Sequence, residues 1–547
     1  MLRLLLCVFA AAAPTAALGS IDDLLQQLNA VRVENHTEQE YEIAAAALRE
    51  LLREADALAF EDLDRDDLLD LRLVRAMARR RLFEIEELEL HKVSPIRYLS
   101  LPRTNALFTR PCSLPDRAVE GAAVELERFP RVLEQGRINL GRPAATWTEN
   151  AVVQTRYVEL MLSDMLQDVC VDDSALRERL LRAGRSANDA VLTFRSWLET
   201  DLLPRSDRSP TWSPEQVEVY QFEVEFLNDW GVGPMLELAE KDAKETREAM
   251  IALAKRIHPS GDLQTVWKLM KEEAPPWDEV RPMAERYVEL ATDWILGPGA
   301  HLLELPERFD YGVEITSPLG RRTLSFGGAS YGPTMAGRIS GYYVLTPLEP
   351  WLTEEERFER LRAYNPYWTN VISTHEWIGH NVQRAFAERF ADTPTRRAFQ
   401  SIYLSQAWSF YLEKLLEDEG YFEDTLPHME ALKTRMARLQ MRMWRVQRIL
   451  TKLRMARDEM TFEEAVQAYV DEIGMEPANA FIEVQRDSQT PSPPAREIVG
   501  EYVILEMRAE FDRRFGQHAT RKAFHEALLR YGNLPLPIVR DLMFGDD

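Results

Sequence analysis

Two histidines and a glutamate occur within six residues of this 547-residue chain, in the stretch His375-Glu376-Trp377-Ile378-Gly379-His380. In the usual zinc-binding pattern, H-E-x-x-H, the two histidines lie at i and i+4 on one helix face. One extra residue separates them here, so at about 100° per residue they lie about 140° apart on a regular α-helix. Both can bind one ion only if the helix widens locally to i→i+5 hydrogen bonding, and Gly379 is a suitable place for such a π-bulge. The motif therefore predicts a metal site on a locally widened helix.

The composition is that of a helix-rich globular protein. Hydrophobic residues make up 45% and charged residues 29% of the chain, and the formal net charge is −24. Long segments rich in Leu, Ala, Glu and Arg favour helices. An acidic chain is poorly suited to bind nucleic acid or an anionic membrane surface, because both require a cationic face. We therefore expect neither as a partner.

The N-terminus has the pattern of a secretory signal peptide over residues 1–19. A positive charge precedes an apolar run from Leu4 to Ala13, and small residues permit cleavage before Ser20. That run is too short to span a bilayer, and the alternative is an uncleaved anchor or a frayed helix. We expect a periplasmic or secreted protein that has no membrane association after cleavage. A disulfide between Cys112 and Cys170 is permitted in such an oxidising compartment.

The rest of the chain divides into two regions by its sequence patterns. Residues 20–275 alternate helical patterns with loops, and the second region, 276–547, contains the histidine motif. Within it, Gly, Tyr and β-branched residues between Arg321 and Pro347 predict short strands and tight loops. An edge strand there could pair with an extended peptide beside the metal. A purely structural hairpin is the alternative.

A second candidate motif follows the first after about thirty residues and extends from Ser405 to Glu413. Zinc peptidases commonly take a third ligand from a carboxylate on a following helix. Gln406 and Glu413 are the candidates, and their separation of seven residues puts them on the same helix face.

These segments resemble a known bacterial family. His375 to Gln383 resembles the H-E-x-x-P-G-H-H-x-Q signature of the family called domain of unknown function 885, and Ser405 to Glu413 resembles its E-G-W-x-x-Y-x-E motif. The stretch from Gly500 to Leu536, which includes Arg508 and His525, is similar as well. The resemblance implies a mainly α protein with a large helical body, a deep cleft and a small β-sheet near the zinc helix. Its plan would be that of gluzincins and thimet-type oligopeptidases.

The chain departs from the family pattern at three places that bear on the metal. The proline before the second histidine is absent, Gln406 stands where a glutamate ligand is expected, and Glu497 stands where the family usually has tyrosine. A neutral amide oxygen is a weaker zinc ligand than a carboxylate. Either Glu413 or Glu497 could return the lost carboxylate. We adopt Glu497 as the hypothesis, which fails if Glu497→Ala retains zinc while Glu413→Ala loses it.

The resemblance and the residue chemistry together imply roles for the side chains. His375 and His380 would bind Zn²⁺, and Glu376 would activate a zinc-bound water as general base. Arg508 and His525 would bind a substrate carboxylate or steady the oxyanion. Their structural alternatives are an ion-pair partner for the arginine and a core residue for the histidine.

The function expected from the sequence is an exported zinc-dependent metallopeptidase that hydrolyses short peptides, as an exopeptidase or an oligopeptidase. Two readings compete with it. The first is a catalytically impaired pseudo-peptidase that binds a peptide or another ligand in the same cleft, which the three departures favour. The second is a helical scaffold without a site, which leaves the His375, Glu376 and His380 constellation unexplained.

Overall fold

The computed structural model describes residues 20–58, 63–109, 115–306, 309–322, 324, 326–333, 339–349, 351–390 and 392–545. The predicted signal peptide and Cys112 lie outside these residues, whereas Cys170 is described and is disulfide-bonded. Within the described ranges, no helix is both long and apolar enough to cross a bilayer.

Helices form nearly all of the first half of the chain. Several of them begin just after a residue whose side chain caps the helix N-terminus. Ser20 and Thr37 each form a capping box with the acidic residue three positions later. The α-helices of this half are α1 (Ile21–Ala30), α2 (Glu38–Ala57), α3 (Arg65–Glu86), α4 (Leu90–Val93), α5 (Pro102–Thr109), α6 (Asp116–Asn139), α7 (Ala145–Ser163), α8 (Ser174–Trp197), α9 (Pro214–Val219), α10 (Val232–Ile257), α11 (Leu263–Glu272) and α12 (Trp277–Leu296).

The second half continues with helices after a short sheet. Its α-helices are α13 (Glu354–Arg362), α14 (Pro366–Thr374), α15 (Val382–Phe390), α16 (Pro394–Ala398), α17 (Ile402–Asp418), α18 (Tyr421–Thr425), α19 (His428–Ala456), α20 (Phe462–Ile473), α21 (Pro477–Gln489), α22 (Ile498–Phe515), α23 (Arg521–Leu529) and α24 (Leu536–Phe544). π-helical turns occupy Leu198–Leu202, Tyr220–Val224 and His375–Asn381, and 3₁₀ turns occupy Pro95–Leu99, Met165–Asp168, Leu203–Arg205, Pro298–His301, Pro318–Arg322 and Gly516–His518.

A three-stranded sheet lies between α12 and α13. It consists of β1 (Phe309–Ile315), β2 (Gly327–Pro333) and β3 (Ile339–Leu345) in the order β1-β3-β2. β3 is parallel to β1 and antiparallel to β2, so β2 is an edge strand in the described sheet. The mainly helical fold with a small sheet ahead of the histidine motif is confirmed, although β1 was not predicted.

One large hydrophobic core joins the two halves of the chain. Val266 and Met270, before position 275, and Val280 and Ala284, after it, belong to the same cluster of buried apolar side chains. The two sequence regions therefore share a core. Smaller clusters lie within α1–α3 and within the layer from α5 to α8.

Helix α19 runs through this core and is packed on many sides by α10, α14 and α20. Most of its residues are buried, including charged side chains such as Arg445 and Arg448. Buried charges require paired, hydrogen-bonded surroundings. α19 therefore carries a polar stripe through an otherwise apolar core, and this stripe forms one wall of the site described below.

Candidate metal centre in an arginine-lined cavity

The histidine motif forms a π-helix, His375–Asn381, inserted between α14 and α15. Its i→i+5 geometry returns positions five apart to one face, which a regular α-helix cannot do. The His375 and His380 ring centroids are 4.8 Å apart at an interplanar angle of 79°. The local widening predicted from the spacing is confirmed.

Gly379 permits α17 to lie directly against the π-helix. A Cβ at this position would lie 2.5 Å from Ser409 Oγ, 2.7 Å from Ser409 Cβ and 3.0 Å from Ser409 Cα. These distances are far below an ordinary carbon–carbon contact of about 3.5–4.0 Å. Glycine is therefore required here for close approach to α17, in addition to tolerating the widened backbone.

Both imidazoles are held at Nδ1 by side chains of α17. His375 Nδ1 lies 2.7 Å from Glu413 Oε1, and His380 Nδ1 lies 3.1 Å from Ser405 Oγ. These contacts orient the rings and leave Nε2 of each histidine as the nitrogen that can bind an ion. Burial holds the pKa of both histidines well below the usual value, helped by Arg445 at His375 and by His375 itself at His380. Both rings are therefore neutral, as metal ligation requires.

Glu376 completes the constellation from the same π-helix. Ligand atoms of His375, Glu376 and His380 all lie within 4.8 Å of one another. Burial raises the pKa of Glu376 to about 7, against the opposing effect of Arg445 and Arg384. A carboxyl group that titrates near neutrality is well matched to accepting and returning a proton.

The three residues line a cavity of about 250 Å³. One wall is the sheet, through Gly327, Gly328 and Ala329 of β2, and Gln406 of α17 faces the same space. The remaining wall is strongly cationic because guanidinium groups reach it from α15, α19, α21 and the segment before α22. These are Arg384, Arg445, Arg448, Arg486 and Arg496.

The chain is similar to a known protein family in sequence and to solved structures in fold. A family model described as a bacterial protein of unknown function, DUF885, matches residues 16–543. The chain belongs to the DUF885 family. No curated protein shows significant sequence similarity to it.

Two solved structures share the fold of this DUF885 protein. One is a predicted lipoprotein of unknown function from Shewanella oneidensis, with a TM-score of 0.72 and 19% identity over 96% of this chain and 98% of that one. The other is a predicted lipoprotein from Colwellia psychrerythraea, with a TM-score of 0.74 and 15% identity over 95% of each chain. The similarity extends over the whole fold.

The three candidates for a third ligand lie in different surroundings in this DUF885 member. Gln406 lines the cavity together with both histidines. Glu413 is 4% exposed and engages His375 Nδ1 through its Oε1. Glu497 accepts a 2.5 Å hydrogen bond from Arg448 Nη1 and lies 3.4 Å from Arg496 Nε.

The charges around Glu497 keep it ionised. Burial alone would raise its pKa, but Arg496, Arg448 and Arg445 outweigh that effect and lower it. The carboxylate is thus already paired with arginine. Of the three candidates, Gln406 lines the cavity with both histidines, whereas Glu413 contacts the ring of His375.

Arg508 and His525 lie in packing contacts, outside the set of described residues that lines the cavity. Arg508 donates to the carbonyls of Thr520 and Ala519 and pairs with Asp512. His525 is fully buried; its Nδ1 lies 2.8 Å from the Leu302 carbonyl oxygen and its Nε2 lies 3.1 Å from the Tyr411 hydroxyl. These surroundings match the structural alternatives: Arg508 is an ion-pair partner of Asp512, and His525 is a core histidine.

The cavity arginines are the candidate site residues that sequence reasoning missed. The available signal was the segment around Trp444, where Arg445 and Arg448 lie among apolar residues such as Met443, Val446 and Ile449. Charged residues inside a buried helix are rare unless they are paired or functional. That signal was weak because arginine on a helix usually faces water.

Proposed function

We propose that this DUF885 protein is a zinc-dependent metallopeptidase that hydrolyses short peptides. The observation that carries the proposal is the π-helix, which brings His375, Glu376 and His380 to one cavity despite the i, i+5 spacing. Two neutral imidazoles beside a carboxyl group of near-neutral pKa are the side chains that metal-assisted peptide hydrolysis requires.

The donor atoms suit zinc, with one weakness. His375 and His380 would hold the ion through Nε2, with the Gln406 amide oxygen as a third donor. An all-neutral set of two imidazoles and an amide binds zinc less tightly than a set that includes a carboxylate. Zinc bound there would act as a Lewis acid toward a scissile carbonyl group.

Glu376 is the proton carrier in this proposal. Its carboxylate removes a proton from the attacking water and delivers it to the nitrogen of the leaving amine, so the group returns to its starting state in each cycle. A pKa of about 7 suits both transfers at neutral pH. Glu413 and Ser405 contribute by fixing the histidine rings, which makes them positioning residues.

The edge strand β2 supports an extended peptide as the ligand. The amide of Thr346, just after β3, donates to the carbonyl oxygen of Phe326, just before β2. Phe326 and Thr346 therefore form a hydrogen-bonded pair at the end of the antiparallel β2–β3 ladder. Hydrogen-bonded and non-hydrogen-bonded pairs alternate along antiparallel strands, so Gly327 and Ala329 direct their N–H and C=O groups away from β3. Both residues line the cavity. A short peptide could therefore extend the sheet beside Glu376.

An exported location accompanies the proposal. The apolar N-terminal run predicts export, and both structural neighbours are described as lipoproteins, which are proteins of the cell envelope. We therefore assign the protein to the envelope, the periplasm or the exterior of the cell.

A peptide-binding protein without hydrolysis is the second candidate, and Gln406 is the residue that favours it. The test is metal content by mass spectrometry on the purified protein, with His380→Ala and, as a matched control, the exposed His428→Ala. The peptidase proposal expects about one zinc per chain, lost in His380→Ala and kept in His428→Ala. It also expects hydrolysis of short peptides that chelation and Glu376→Gln abolish. Zinc without hydrolysis would favour the binding protein, and no zinc after addition of zinc salt would refute the peptidase.

A further inference from the structure

Arg445 is a buried cation that faces the cavity with incomplete pairing. Its residue is 6% exposed and lines the cavity. Nη1 makes a 3.3 Å hydrogen bond to the Met441 carbonyl oxygen, and Nε has no hydrogen-bond partner among the described protein groups. Glu413 Oε1 lies 3.8 Å from Nη2, too far for a hydrogen bond. A guanidinium removed from water in this way is costly unless another group binds it.

The neighbouring Arg448 shows the contrast within the same helix. Its Nη1 donates to Glu497 at 2.5 Å and its Nη2 donates to Glu483 at 3.1 Å. Among the described residues Arg445 has no equivalent pair: Glu413 Oε1 contacts His375 Nδ1 at 2.7 Å, and Glu413 Oε2 has no hydrogen-bond partner. Arg445 therefore keeps N–H donors for an additional acceptor.

The surrounding charge favours an anion at the same place. Five arginines line the cavity, against two glutamates, Glu376 and Glu483, among its described lining residues. Glu483 is fully buried and accepts hydrogen bonds from Arg448 and Arg486, so it is already neutralised. A cavity lined mainly by one sign of charge concentrates ligands of the opposite sign. Zinc at the histidines would add further positive charge.

We propose that Arg445 binds a carboxylate of the substrate, so that the cavity selects short peptides that present a carboxylate beside the scissile bond. The inference rests on the proposed function for the identity of the ligand as a peptide. Arginine suits this role because its planar fork of N–H donors matches the two oxygens of a carboxylate. The carboxylate can come from a free C-terminus or from an acidic side chain, and both have the same chemistry toward Arg445.

Calorimetric binding to defined peptides tests this inference. The purified protein carries Glu376→Gln, so that probes are not hydrolysed, and it is equilibrated with zinc chloride. The probes are trialanine, trialanine amide and alanyl-glutamyl-alanine amide. We expect at least one carboxylate-bearing probe to bind about tenfold or more tightly than trialanine amide. Trialanine as the preferred probe identifies the C-terminus as the source, and the glutamyl peptide identifies the side chain.

Substitutions at Arg445 then test whether this residue causes the preference for carboxylate-bearing probes. We call the affinity for the preferred carboxylate-bearing probe divided by that for trialanine amide the acid-to-amide affinity ratio. Arg445→Gln should bring this ratio to about one. Arg445→Lys, which keeps the charge but loses the planar fork of donors, should leave an intermediate ratio. Arg438→Gln is the matched control, because Arg438 is on α19, is also 6% exposed and pairs with Glu417 outside the cavity lining. It should retain the full ratio.

Equal affinity for the three probes overturns the inference, as does a ratio that survives Arg445→Gln or is lost equally in Arg438→Gln. The probe comparison needs no arginine variant, so equal affinities overturn the inference even if Arg445→Gln fails to fold, and Arg445→Lys then tests the assignment to this residue. Zinc content and hydrolysis by the protein with Glu376 intact are measured separately. Zinc-dependent hydrolysis with no acid preference refutes this inference alone, whereas an acid preference without zinc refutes the peptidase proposal alone.

Discussion

Gly379→Ala should separate the π-helix from α17 and weaken the metal site. The added Cβ would lie 3.0 Å from Ser409 Cα and 2.7 Å from Ser409 Cβ, and neither contact can be relieved by a rotamer change. Reaching an ordinary contact of about 3.5–4.0 Å requires a displacement of about 0.5–1.3 Å between the two segments. Overpacking of this kind costs about 1–3 kcal/mol, and replacing a helical glycine by alanine returns at most about 1 kcal/mol. We expect a net destabilisation of about 1–2 kcal/mol.

The same displacement should impair zinc binding. Ser405 and Glu413, which orient the two histidine rings, are on α17 with Ser409. Loss of such orienting contacts typically lowers metal affinity by about 10–100-fold. Urea unfolding followed by tryptophan fluorescence measures the stability, and competition with a chelating dye measures the zinc affinity.

A double-mutant cycle with Ser409→Gly tests the cause. That substitution removes the two side-chain atoms closest to the new Cβ, at a cost of about 0.5 kcal/mol in helix propensity. Gly379→Ala should therefore be much less harmful in the Ser409→Gly background, with a coupling free energy of about 1–2 kcal/mol. Strictly additive effects, or a single Gly379→Ala variant with unchanged stability and zinc affinity, would refute the argument from close packing.

The other predictions concern the third ligand, the ring-orienting carboxylate and a buried acid outside the site. Gln406→Glu should raise zinc affinity about tenfold or more in dye competition, because it adds a charged oxygen ligand; no change would exclude position 406 as a ligand. Glu413→Gln should lower zinc affinity by about 10–100-fold and Glu497→Gln should leave it nearly unchanged, and the reverse order would support the hypothesis that Glu497 is a ligand. Burial raises the pKa of Glu225 from 4.5 to about 7, against hydrogen bonds from Ser401 and the Ile402 amide. The Glu225 carboxyl group therefore contributes its full stabilisation below its pKa in the unfolded chain. As pH rises through about 7 this stabilisation is lost, which lowers the free energy of unfolding by about 3 kcal/mol in total. The difference in unfolding free energy between the native protein and Glu225→Gln should fall by about that amount from acidic to mildly alkaline pH, and a pH-independent difference would contradict it.

Local sequence patterns were sufficient to predict the geometry of the motif. A five-residue spacing allows convergence of His375 and His380 only through a widened helix, and a glycine precedes the second histidine. The strands β2 and β3 were also accessible, since they are close in sequence and rich in Gly and Tyr. β1 pairs with β3 across about thirty residues in a parallel arrangement, which local patterns do not specify.

The cavity wall was not predictable in the same way. Its arginines come from four separate segments, so their convergence depends on packing that no single stretch reveals. The spacing of Gln406 and Glu413 indicated a shared helix face but not which of the two lines the cavity. Seven residues on one helix face are separated by about 10 Å along the axis, too far for both to reach one ion. On this shared face, Gln406 lines the cavity and Glu413 contacts the ring of His375.

The neutral side chain of Gln406 and the incomplete pairing of Arg445 both leave the cavity with an excess of positive charge. With zinc bound, a neutral amide ligand leaves the cavity more positive than a glutamate would, and Arg445 adds to that excess. A substrate carboxylate would then offset this excess of positive charge. Gln406→Glu should therefore have opposite effects on the two ligands: tighter zinc, but weaker binding of carboxylate-bearing peptides, with trialanine amide little affected. Calorimetry on the Glu376→Gln background measures both. If Gln406→Glu strengthens zinc and leaves the acid-to-amide ratio unchanged, the anion site responds to Arg445 alone and the two departures are independent.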